Sequence, residues 1–569
     1  MSFKAPVSDF RFLFDHIVDY GQLARTDLFA EAGGDVTEQI LTEAARLAGG
    51  VLAPLNRAGD LTPAKLENGV VRTSPGFADG YRAIAEGGWI GLSAAPEHGG
   101  MGLPLALNTA VNDMFSGACL ALQLCPLLTQ GQIEALEHHA DETLKALYLP
   151  KLISGEWTGT MNLTEPQAGS DVGALRSKAE SNGDGTYAIS GQKIFITWGD
   201  HDVAENVCHL VLARLPDGAP GTRGISLFMV PKLIPDDQGN PGVRNSLRVV
   251  SLEHKLGIHG SPTAVMEYDG AKGWMVGKPH GGMAAMFTMM NNARLGVGAQ
   301  GIGVAEAAYQ HALAYAVERK QGRTPLGDGA IIDHADVRRM LAMMRAEVFA
   351  ARAIALACGV ALDMGRATGN GAWKARAALL TPIAKAHGTD IGCEVASMGV
   401  QVYGGMGFIE ETGAAQFLRD ARITPIYEGT NGIQAMDLVG RKMMDGGEEA
   451  FRLLQEIEDA AETARASQPD LAEAVWSAAE SLREATEWLL AQEMNERFAG
   501  AVPYLRAFAR VLGAHYHLRA AIAAPGTARE KLARVFVTRI LPEHEGLLAQ
   551  VRAGAAALYD LSVEELETA

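Results

Sequence analysis

The sequence predicts an α+β protein in which helices flank a central antiparallel, barrel-like sheet. In residues 1–155 apolar residues recur at the three- and four-residue spacing of helices, and residues 279–569 return to that spacing. Residues 156–278 instead contain short β-branched or aromatic runs between turn signals, without a long helical pattern among them. We therefore predict an N-terminal helical domain (1–155), a β domain (156–278), a helical bundle (279–445) and an additional C-terminal helical domain (446–569).

Local signals support each segment in turn. Apolar periodicity predicts helices at 37–52 and 106–124, and the Gly- and Pro-rich stretch 88–104 predicts a loop between them. In the middle segment, the run 187–190 follows Asn-Gly and Asp-Gly pairs, which are typical of tight turns between strands. The glycine pair 446–447 predicts a linker before the tail.

The composition is that of a globular protein with an acidic surface. Of the 569 residues, 48% are hydrophobic and 20% are charged, and the net charge is −18. A surface of this sign repels nucleic acid and anionic membranes, so an anionic cofactor has to be held by local arginines and backbone N–H groups. Ala, Gly or charged residues interrupt the apolar windows, and the first residues do not read as a signal peptide. We predict no nucleic-acid partner and no membrane insertion.

The cysteines indicate a reducing compartment. They are odd in number, lie in apolar surroundings and form no CxxC pair: Cys119, Cys125, Cys208, Cys358 and Cys393. This pattern favours core thiols in the cytoplasm over disulfides or zinc. We therefore predict a cytoplasmic protein without a metal site.

A formal GxGxxG is formed by Gly296, Gly298 and Gly301. A dinucleotide-binding turn needs a strand directly before the first glycine, whereas strong helix formers precede this one. Small residues at this spacing also allow two helices to pack closely, and we favour that interpretation.

The stretch 161–179 contains a candidate binding loop. Thr164 and Ser170 are hydroxyl donors around a Pro-Gly turn, and Gly169 allows close approach to the backbone. Taken alone, the stretch is more typical of an ordinary surface loop.

The stretch 425–442 contains a candidate catalytic residue. Glu428 stands just outside a predicted helix from Ile433, which Thr430 or Asn431 can cap, and the helix N-terminus offers unpaired N–H groups to an anion. A single glutamate at this position is commonly a carboxylate that compensates the helix dipole; a catalytic base is the alternative.

Taken together, five motifs resemble the acyl-CoA dehydrogenase flavoprotein family in kind, order and spacing. The family's TEPxAGSD loop is similar to 164–171, its WIT strand to 195–197, its helix-borne arginine to Arg319, its Q-x-x-GG-x-G to 401–407 and its YEGT to 427–430. The resemblance covers about residues 40–445. The N-terminal extension and the helical tail resemble a longer bacterial branch that handles small thioether acyl-CoAs and acts in dimethylsulfoniopropionate degradation.

The resemblance implies FAD as the cofactor and assigns its contacts. The flavin ring would lie against Met161, Leu163, Thr164, Gly169, Ser170, Phe195, Ile196 and Thr197, with the Thr197 hydroxyl near N5. Arg319, Gln401, Gly404 and Gly405 would reach the FAD of a neighbouring subunit, and Thr430 and Asn431 would complete the site. The implied substrate-side residues are Ser170, Asn291, Arg294, Tyr427 and Gly429.

The resemblance also implies the reaction and the partners. Glu428, in a dry site that raises its pKa, would remove the α-proton of an acyl-CoA thioester while the β-hydrogen leaves as hydride to the flavin, which gives the trans-2-enoyl-CoA. The backbone N–H of Glu428 and a flavin ribityl hydroxyl would donate to the thioester oxygen. The expected partners are the acyl-CoA, an electron-transferring flavoprotein as acceptor, and further copies of this chain in a homodimer or a dimer of dimers.

The sequence departs from the family pattern at two places. Phe195 replaces a tryptophan, and residues 321–323 (Gln-Gly-Arg) replace a Thr-Phe-Gly run, with a longer loop to His334. The cross-subunit contacts at the adenine end are therefore less firmly predicted than the contacts of the flavin ring.

Two other functions remain open on sequence grounds. An acyl-CoA oxidase shares the fold and the base and differs in the access of oxygen. A flavin-bound relative that binds DNA needs a basic tail, whereas residues 451–500 hold 11 acidic and only 4 basic side chains. We favour the dehydrogenase.

The expected substrate is a short acyl-CoA, such as 3-methylmercaptopropionyl-CoA or butyryl-CoA. Bulky residues at 120–127, together with Met289 and Met290, are candidates for closing the acyl cavity. Methionines at helical spacing are also common core residues, and that alternative stays open.

Overall fold

A computed structural model of the protein describes residues 3–324 and 326–569. Its N-terminal part is mainly helical. The elements, in chain order, are α1 (Val7–His16), α2 (Gly34–Leu47), α3 (Ala53–Leu61), β1 (Lys65–Glu67), β2 (Val70–Arg72), α4 (Phe77–Glu86), α5 (Leu105–His139) and α6 (Glu142–Ile153). The predicted helices and the loop at 88–104 are confirmed. The β1–β2 hairpin was not predicted; it turns at Asn68-Gly69, where both residues have positive φ, as a two-residue hairpin turn requires.

The middle segment folds into a sheet that closes on itself. Its strands are β3 (Trp157–Asn162), β4 (Lys178–Ser181), β5 (Tyr187–Thr197), β6 (Asn206–Arg214), β7 (Ile225–Pro231), β8 (Leu233–Pro235), β9 (Pro241–Arg244), β10 (Leu247–Leu252) and β11 (Thr263–Val276). Strand β5 pairs with β4 and β11, β11 pairs with β7, β7 with β6, and β6 returns to β4 at the pair Lys178–Arg214. The α+β class and the barrel-like sheet are thus confirmed.

Two pairings in this sheet differ from the antiparallel prediction. Strand β4 meets β6 in parallel at the pair Lys178–Arg214. Strand β3 runs parallel to β6, from Trp157 opposite Asn206 to Asn162 opposite Val211. Parallel neighbours need a long crossover connection, which is usually a helix. Here two intervening strands, β4 and β5, supply it, so the sequence contains no helical signal for a parallel pair.

The remainder is helical. The central helices are α7 (Gly282–Glu318), α8 (Ala335–Thr368), α9 (Gly371–Tyr403), α10 (Ala414–Ala421) and α11 (Asn431–Val439). The tail contains α12 (Glu448–Ala464), α13 (Pro469–Leu490), α14 (Met494–Ala499), α15 (Ala501–Ala523), α16 (Ala528–Arg539), α17 (Glu543–Arg552), α18 (Ala556–Tyr559) and α19 (Val563–Thr568).

The glycines of the GxGxxG pattern lie inside α7, which confirms close helix packing. A Cβ on Gly298 would lie 2.7 Å from the carbonyl oxygen of Ala384, and one on Gly301 would lie 2.4 Å from that of Gly388. Both partner residues are on α9. Any larger residue at these two positions would separate α7 from α9.

Two helices, α5 and α8, have the length and hydropathy of membrane spans, with mean hydropathies of 1.3 and 1.6. The expectation that no window has these properties was therefore wrong. In the fold, the most apolar 18-residue stretch of α5 is 100% buried inside the protein, and that of α8 is 89% buried. Apolar residues on all sides are typical of a helix at the centre of a large core. Helix α5 is also kinked at Cys119, whose backbone is not helical.

Buried ion pairs tie both ends of the chain to the central helices. Asp9 of α1 pairs with Arg345 of α8 and with Arg529 of α16. Arg510 of α15 is buried and donates to both carboxylate oxygens of Glu347 on α8, at 2.7 and 2.6 Å. The five cysteines, all within the described residues, are free thiols, as predicted.

Candidate active site

Glu428 lies in a tight turn between α10 and α11. Its backbone is left-handed, with φ +56°, and Gly429 follows with φ +86°. Non-glycine residues rarely adopt this conformation, and where they do the surrounding structure has to hold them. Because L side chains rarely adopt the φ of Gly429, a glycine is favoured there. Thr430 caps α11, since its hydroxyl accepts a hydrogen bond from the N–H of Ile433 at 3.3 Å.

A buried lysine on α9 holds this turn from both sides. The Lys385 ammonium donates to the carbonyl oxygens of Thr424 (3.0 Å) and Gly429 (2.9 Å) and to Oδ1 of Asn431 (2.9 Å). These acceptors lie before and after Glu428 in the chain, so Lys385 holds the turn on both sides of the glutamate. Sequence reasoning missed Lys385; its only signal is a lysine within an apolar stretch of helix.

The hydrogen-bonding groups of the Asn431 side chain are satisfied within the protein. Besides accepting from Lys385, its amide group donates to Oδ1 of Asp390 at 2.7 Å and to the carbonyl oxygen of Ala386 at 3.1 Å. The backbone N–H of Asn431 is also engaged, because it donates to the carbonyl oxygen of Pro425 at 3.0 Å, so the predicted cofactor contact of Asn431 stays a prediction.

The surroundings of Glu428 make its carboxyl group a weaker acid than usual. Burial raises the pKa of Glu428 to about 7, and the positive charges of Arg294 and Lys385 oppose this without cancelling it. Burial also lowers the pKa of Lys385 to about 8. A carboxylate with a pKa near the working pH is well matched to accept a proton from carbon.

Unpaired hydrogen-bond donors lie next to this carboxyl group. Within the described residues, the backbone N–H of Glu428 has no acceptor. Arg294 is 6% exposed; it donates to Oδ1 of the exposed Asn291 at 3.3 Å, while its buried Nε has no partner in the described chain. Tyr427 is engaged, because its hydroxyl donates to the side chain of Gln300. The free donors are suited to a ligand oxygen.

A second buried lysine shapes the predicted flavin loop. Glu165 accepts hydrogen bonds from Lys193 of β5 at 2.8 Å and from the backbone N–H groups of Arg176 (2.6 Å) and Ser177 (3.0 Å). Although burial raises the pKa of Glu165, Lys193 and these hydrogen bonds lower it to about 2. The loop residues Gly169 and Ser170 are exposed. Neither Glu165 nor Lys193 was predicted as a site residue.

The strand motif leaves one aromatic ring on the surface. Phe195 is 59% exposed and has φ +59°, a left-handed conformation that turns its side chain out of the sheet. Ile196 packs into the core of the sheet, which leaves only its backbone for the predicted contact, and Thr197 is half-buried. Met161 and Leu163 are partly buried against the main core.

The structure separates the remaining predicted cofactor residues from Glu428. Stacking of Tyr315 on Tyr403, with ring centroids 3.9 Å apart, brings together the end of α7, which Arg319 follows, and the end of α9, which contains Gln401. Both residues are exposed, as are Gly404 and Gly405. Arg319 lies about 38 Å along α7 from Arg294, at 1.5 Å per helical residue. One chain therefore presents two half-sites at opposite ends of its central helices.

Comparison with known proteins finds relatives that match this chain along most of its length. Family models match nearly the whole chain: acyl-CoA dehydrogenase N-terminal domain at residues 38–156, middle domain at 160–271 and C-terminal domain at 280–444, and an acetyl-CoA dehydrogenase C-terminal-like model at 453–562. A 3-methylmercaptopropionyl-CoA dehydrogenase of Ruegeria pomeroyi is 47% identical over 519 residues, 89% of this chain and 88% of that protein. The chain belongs to the acyl-CoA dehydrogenase family.

Solved structures have the same fold as this acyl-CoA dehydrogenase. ACDH-11 of Caenorhabditis elegans, in complex with C11-CoA, has a TM-score of 0.80 and 21% identity, over 99% of this chain and 96% of that one. An acyl-CoA dehydrogenase of Bacillus anthracis, complexed with FAD, has a TM-score of 0.76 and 20% identity, over 93% and 90%.

The dehydrogenase depends on FAD, and its residues fit that cofactor. Phe195 offers an exposed aromatic face, and the hydroxyls of Thr164 and Thr197 have no partner within the described residues. No atom lies within 4 Å of a Cβ built on Gly169 or Gly405, so a ligand can approach the backbone closely at both ends. These features supply the ring contacts and the open backbone that a dinucleotide needs.

Proposed function

We propose that this dehydrogenase oxidises a short acyl-CoA, such as 3-methylmercaptopropionyl-CoA, to the trans-2-enoyl-CoA, with Glu428 as the base and an electron-transferring flavoprotein as the electron acceptor. The observation that carries the proposal is a carboxyl group with a pKa of about 7, held in a strained turn beside its own unpaired N–H. Base and donor thus come from the same residue.

The chain's own residues would act on the thioester in two ways. The Glu428 N–H would donate to the thioester oxygen, which stabilises the charge that develops there as the α-proton moves to the carboxylate. Lys385 would keep the carboxylate in place, because it bonds the carbonyls on both sides of it. Bound FAD supplies the hydride acceptor for the β-hydrogen.

The short chain length rests on the relative from Ruegeria pomeroyi, a 3-methylmercaptopropionyl-CoA dehydrogenase, whose acyl group is a small thioether. The ACDH-11 structure holds a C11 chain, so the shared fold does not fix acyl length. Met289 is fully buried and packs against Gly131 of α5, which makes it a core residue. Met290, only partly buried, stays a candidate for the cavity wall.

We also infer a homo-oligomer. The cofactor residues at the Arg319 end lie too far from Glu428 to share one flavin within a chain, so a second copy has to complete each site. Exposed apolar residues around this end, including Met406 and Phe408, fit a contact between copies. A monomer with full FAD content in light scattering would contradict this arrangement.

The experiment is a series of kcat/KM values for acyl-CoAs of increasing length, first with an artificial electron acceptor and then in air with a peroxide assay. We expect an optimum at four to six atoms in the acyl chain and modest selectivity, about 1–3 kcal/mol per methylene. An optimum at a long chain would refute the short-chain proposal. Peroxide formation at the full rate would identify an oxidase instead.

A further inference from the structure

Helix α11, which begins three residues after Glu428, packs against both α9 and the C-terminal tail. A Cβ on Gly440, directly after α11, would lie 3.5 Å from the ring of Phe498 and 3.6 Å from Sδ of Met494. Both of these residues belong to α14 of the tail, and α15 also packs against α11. The tail therefore lies against the helix that follows the candidate base.

Arg506 of α15 extends this contact to α9. Its guanidinium donates to both carboxylate oxygens of Glu394 on α9, with Nη2 at 3.2 Å from Oε2, and to Oε1 of Glu543 on α17 at 2.9 Å. Asp390 lies four residues before Glu394 on α9, and residues at this spacing share one face of a helix. Arg506 thus brings a positive charge of the tail to two neighbouring acids of α9.

A series of hydrogen bonds leads from Asp390 to the turn of Glu428. Nδ2 of Asn431 donates to Oδ1 of Asp390 at 2.7 Å, and Oδ1 of Asn431 accepts from Lys385 at 2.9 Å. Lys385 in turn bonds the carbonyls on both sides of Glu428. Because an amide side chain has one donor end and one acceptor end, these two partners select a single orientation of Asn431.

The charge of Arg506 favours the anionic form of Asp390. Burial raises the pKa of Asp390, and so does the negative charge of Glu394, whereas Arg506 and Lys385 oppose the rise. A carboxylate is a stronger hydrogen-bond acceptor than a neutral carboxyl group. Without Arg506, Asp390 would take up a proton more readily and would hold Asn431 less firmly.

We propose that Arg506 of the tail is a positioning residue, which steadies the turn of Glu428 through Asp390 and the hydrogen bonds beyond it. That this turn carries the base rests on the proposed function. The tail then has a part in the reaction although Arg506 contacts neither substrate nor cofactor. Its effect reaches the turn through side chains of α9 and α11 alone.

The test is hydrogen–deuterium exchange of the FAD-loaded full chain, followed by mass spectrometry in peptides that cover residues 424–434. Arg506→Gln removes the charge, while Arg510 still ties α15 to Glu347 of α8. Arg483→Gln is the matched control. Arg483 also bonds both oxygens of one carboxylate, at 2.8 and 2.7 Å, but it joins α13 to α12 within the tail.

We expect Arg506→Gln to speed exchange in this turn by about 3- to 10-fold, as for the net loss of one hydrogen bond. Arg506→Lys keeps the charge and should restore most of the protection, and Arg483→Gln should leave the turn unchanged. Unchanged exchange in Arg506→Gln would overturn the proposal. Equal acceleration in Arg506→Gln and Arg483→Gln would also overturn it, because Arg506 would then only hold the tail in place.

Asp390→Asn tests the same series of hydrogen bonds if Arg506→Gln does not fold. Asp390 lies on α9, so this variant leaves the ion pairs of the tail in place and removes only the charge of the acceptor. It should also speed exchange at residues 424–434, and an unchanged turn would overturn the proposal. Exchange is measured without substrate. The positioning can therefore hold even if Glu428 is not the base, and failure of the proposed oxidation is recognised separately from the rate of flavin reduction.

Discussion

Glu165 and Glu428 each lie next to a buried lysine, yet their carboxyl groups are shifted in opposite directions. Lys193 bonds the Glu165 carboxylate directly, and the pKa of Glu165 falls to about 2. Lys385 bonds the carbonyls on either side of Glu428 and leaves the carboxylate free, so burial prevails and its pKa rises to about 7. The same pair of residue types thus gives a permanent anion that shapes a loop in one place and a proton acceptor in the other.

The largest effect is expected on the reaction rate, from replacing Glu428, whose carboxylate Lys385 leaves free. Glu428→Gln keeps the size of the side chain but cannot accept a proton, so flavin reduction by substrate should slow by about 10²- to 10⁴-fold while FAD stays bound. Rapid-mixing absorbance at the flavin band measures this. Glu31→Gln, at an exposed position without a side-chain partner in the described chain, is the control. A near-normal rate in Glu428→Gln would mean that another group is the base.

Replacing Glu165, whose carboxylate is bonded to Lys193, should instead lower the free energy of unfolding. Glu165→Gln leaves the Lys193 ammonium buried without a counter-charge, and breaking a buried pair costs about 3 kcal/mol or more in the free energy of unfolding. Denaturant unfolding of the FAD-loaded protein measures the loss. The folded pKa of Glu165 is depressed, so its contribution is present above its unfolded pKa, near 4.5, and is lost as the pH falls towards 2. A variant with unchanged stability would remove the proposed difference between the two glutamates.

A smaller effect is expected from the lysine under the Glu428 turn. Lys385→Met leaves three acceptors without their donor and removes a charge that lowers the pKa of Glu428. We expect kcat to fall about tenfold, from loss of hydrogen bonds that position the base, and the acidic limb of kcat/KM to move to higher pH. Lys193→Met is the comparison, since it should lose stability without moving that limb. If the acidic limb lay at the same pH in both variants, Lys385 would have only a structural role.

The smallest expected effect is the pH dependence of kcat/KM in the wild-type protein. Because Glu428 has to be deprotonated to accept a proton, kcat/KM should be half-maximal near pH 7 and fall about tenfold per pH unit below it. Above pH 7 the same group should have little further influence. A flat profile between pH 5 and 8 would place the pKa of the base near that of an ordinary exposed glutamate.

Much of the site could be predicted because its signals are local. Glu428 and the Thr430 cap lie within a few residues of each other, and the three glycines of α7 mark a packed helix face. The Asn68-Gly69 hairpin was missed although its turn signal is also local, because the strands beside it are only three residues long.

The two lysines could not be predicted in this way. Lys193 meets Glu165 across 28 residues of sequence, and Lys385 meets Gly429 across 44. Such pairs depend on which strand or helix face packs against a loop, and this follows from the completed fold rather than from any short pattern.

The ion pairs of Asp9 cannot all form at the same time during synthesis of the chain. Its carboxylate, buried in the first helix, is neutralised partly by Arg529, which lies 520 residues further along the chain. During synthesis the first helix can pack onto α8 through Arg345, but this last charge arrives only when the final helices have left the ribosome. The last cation of Asp9 is therefore added late, and chains that stop before α16 leave this acid without it.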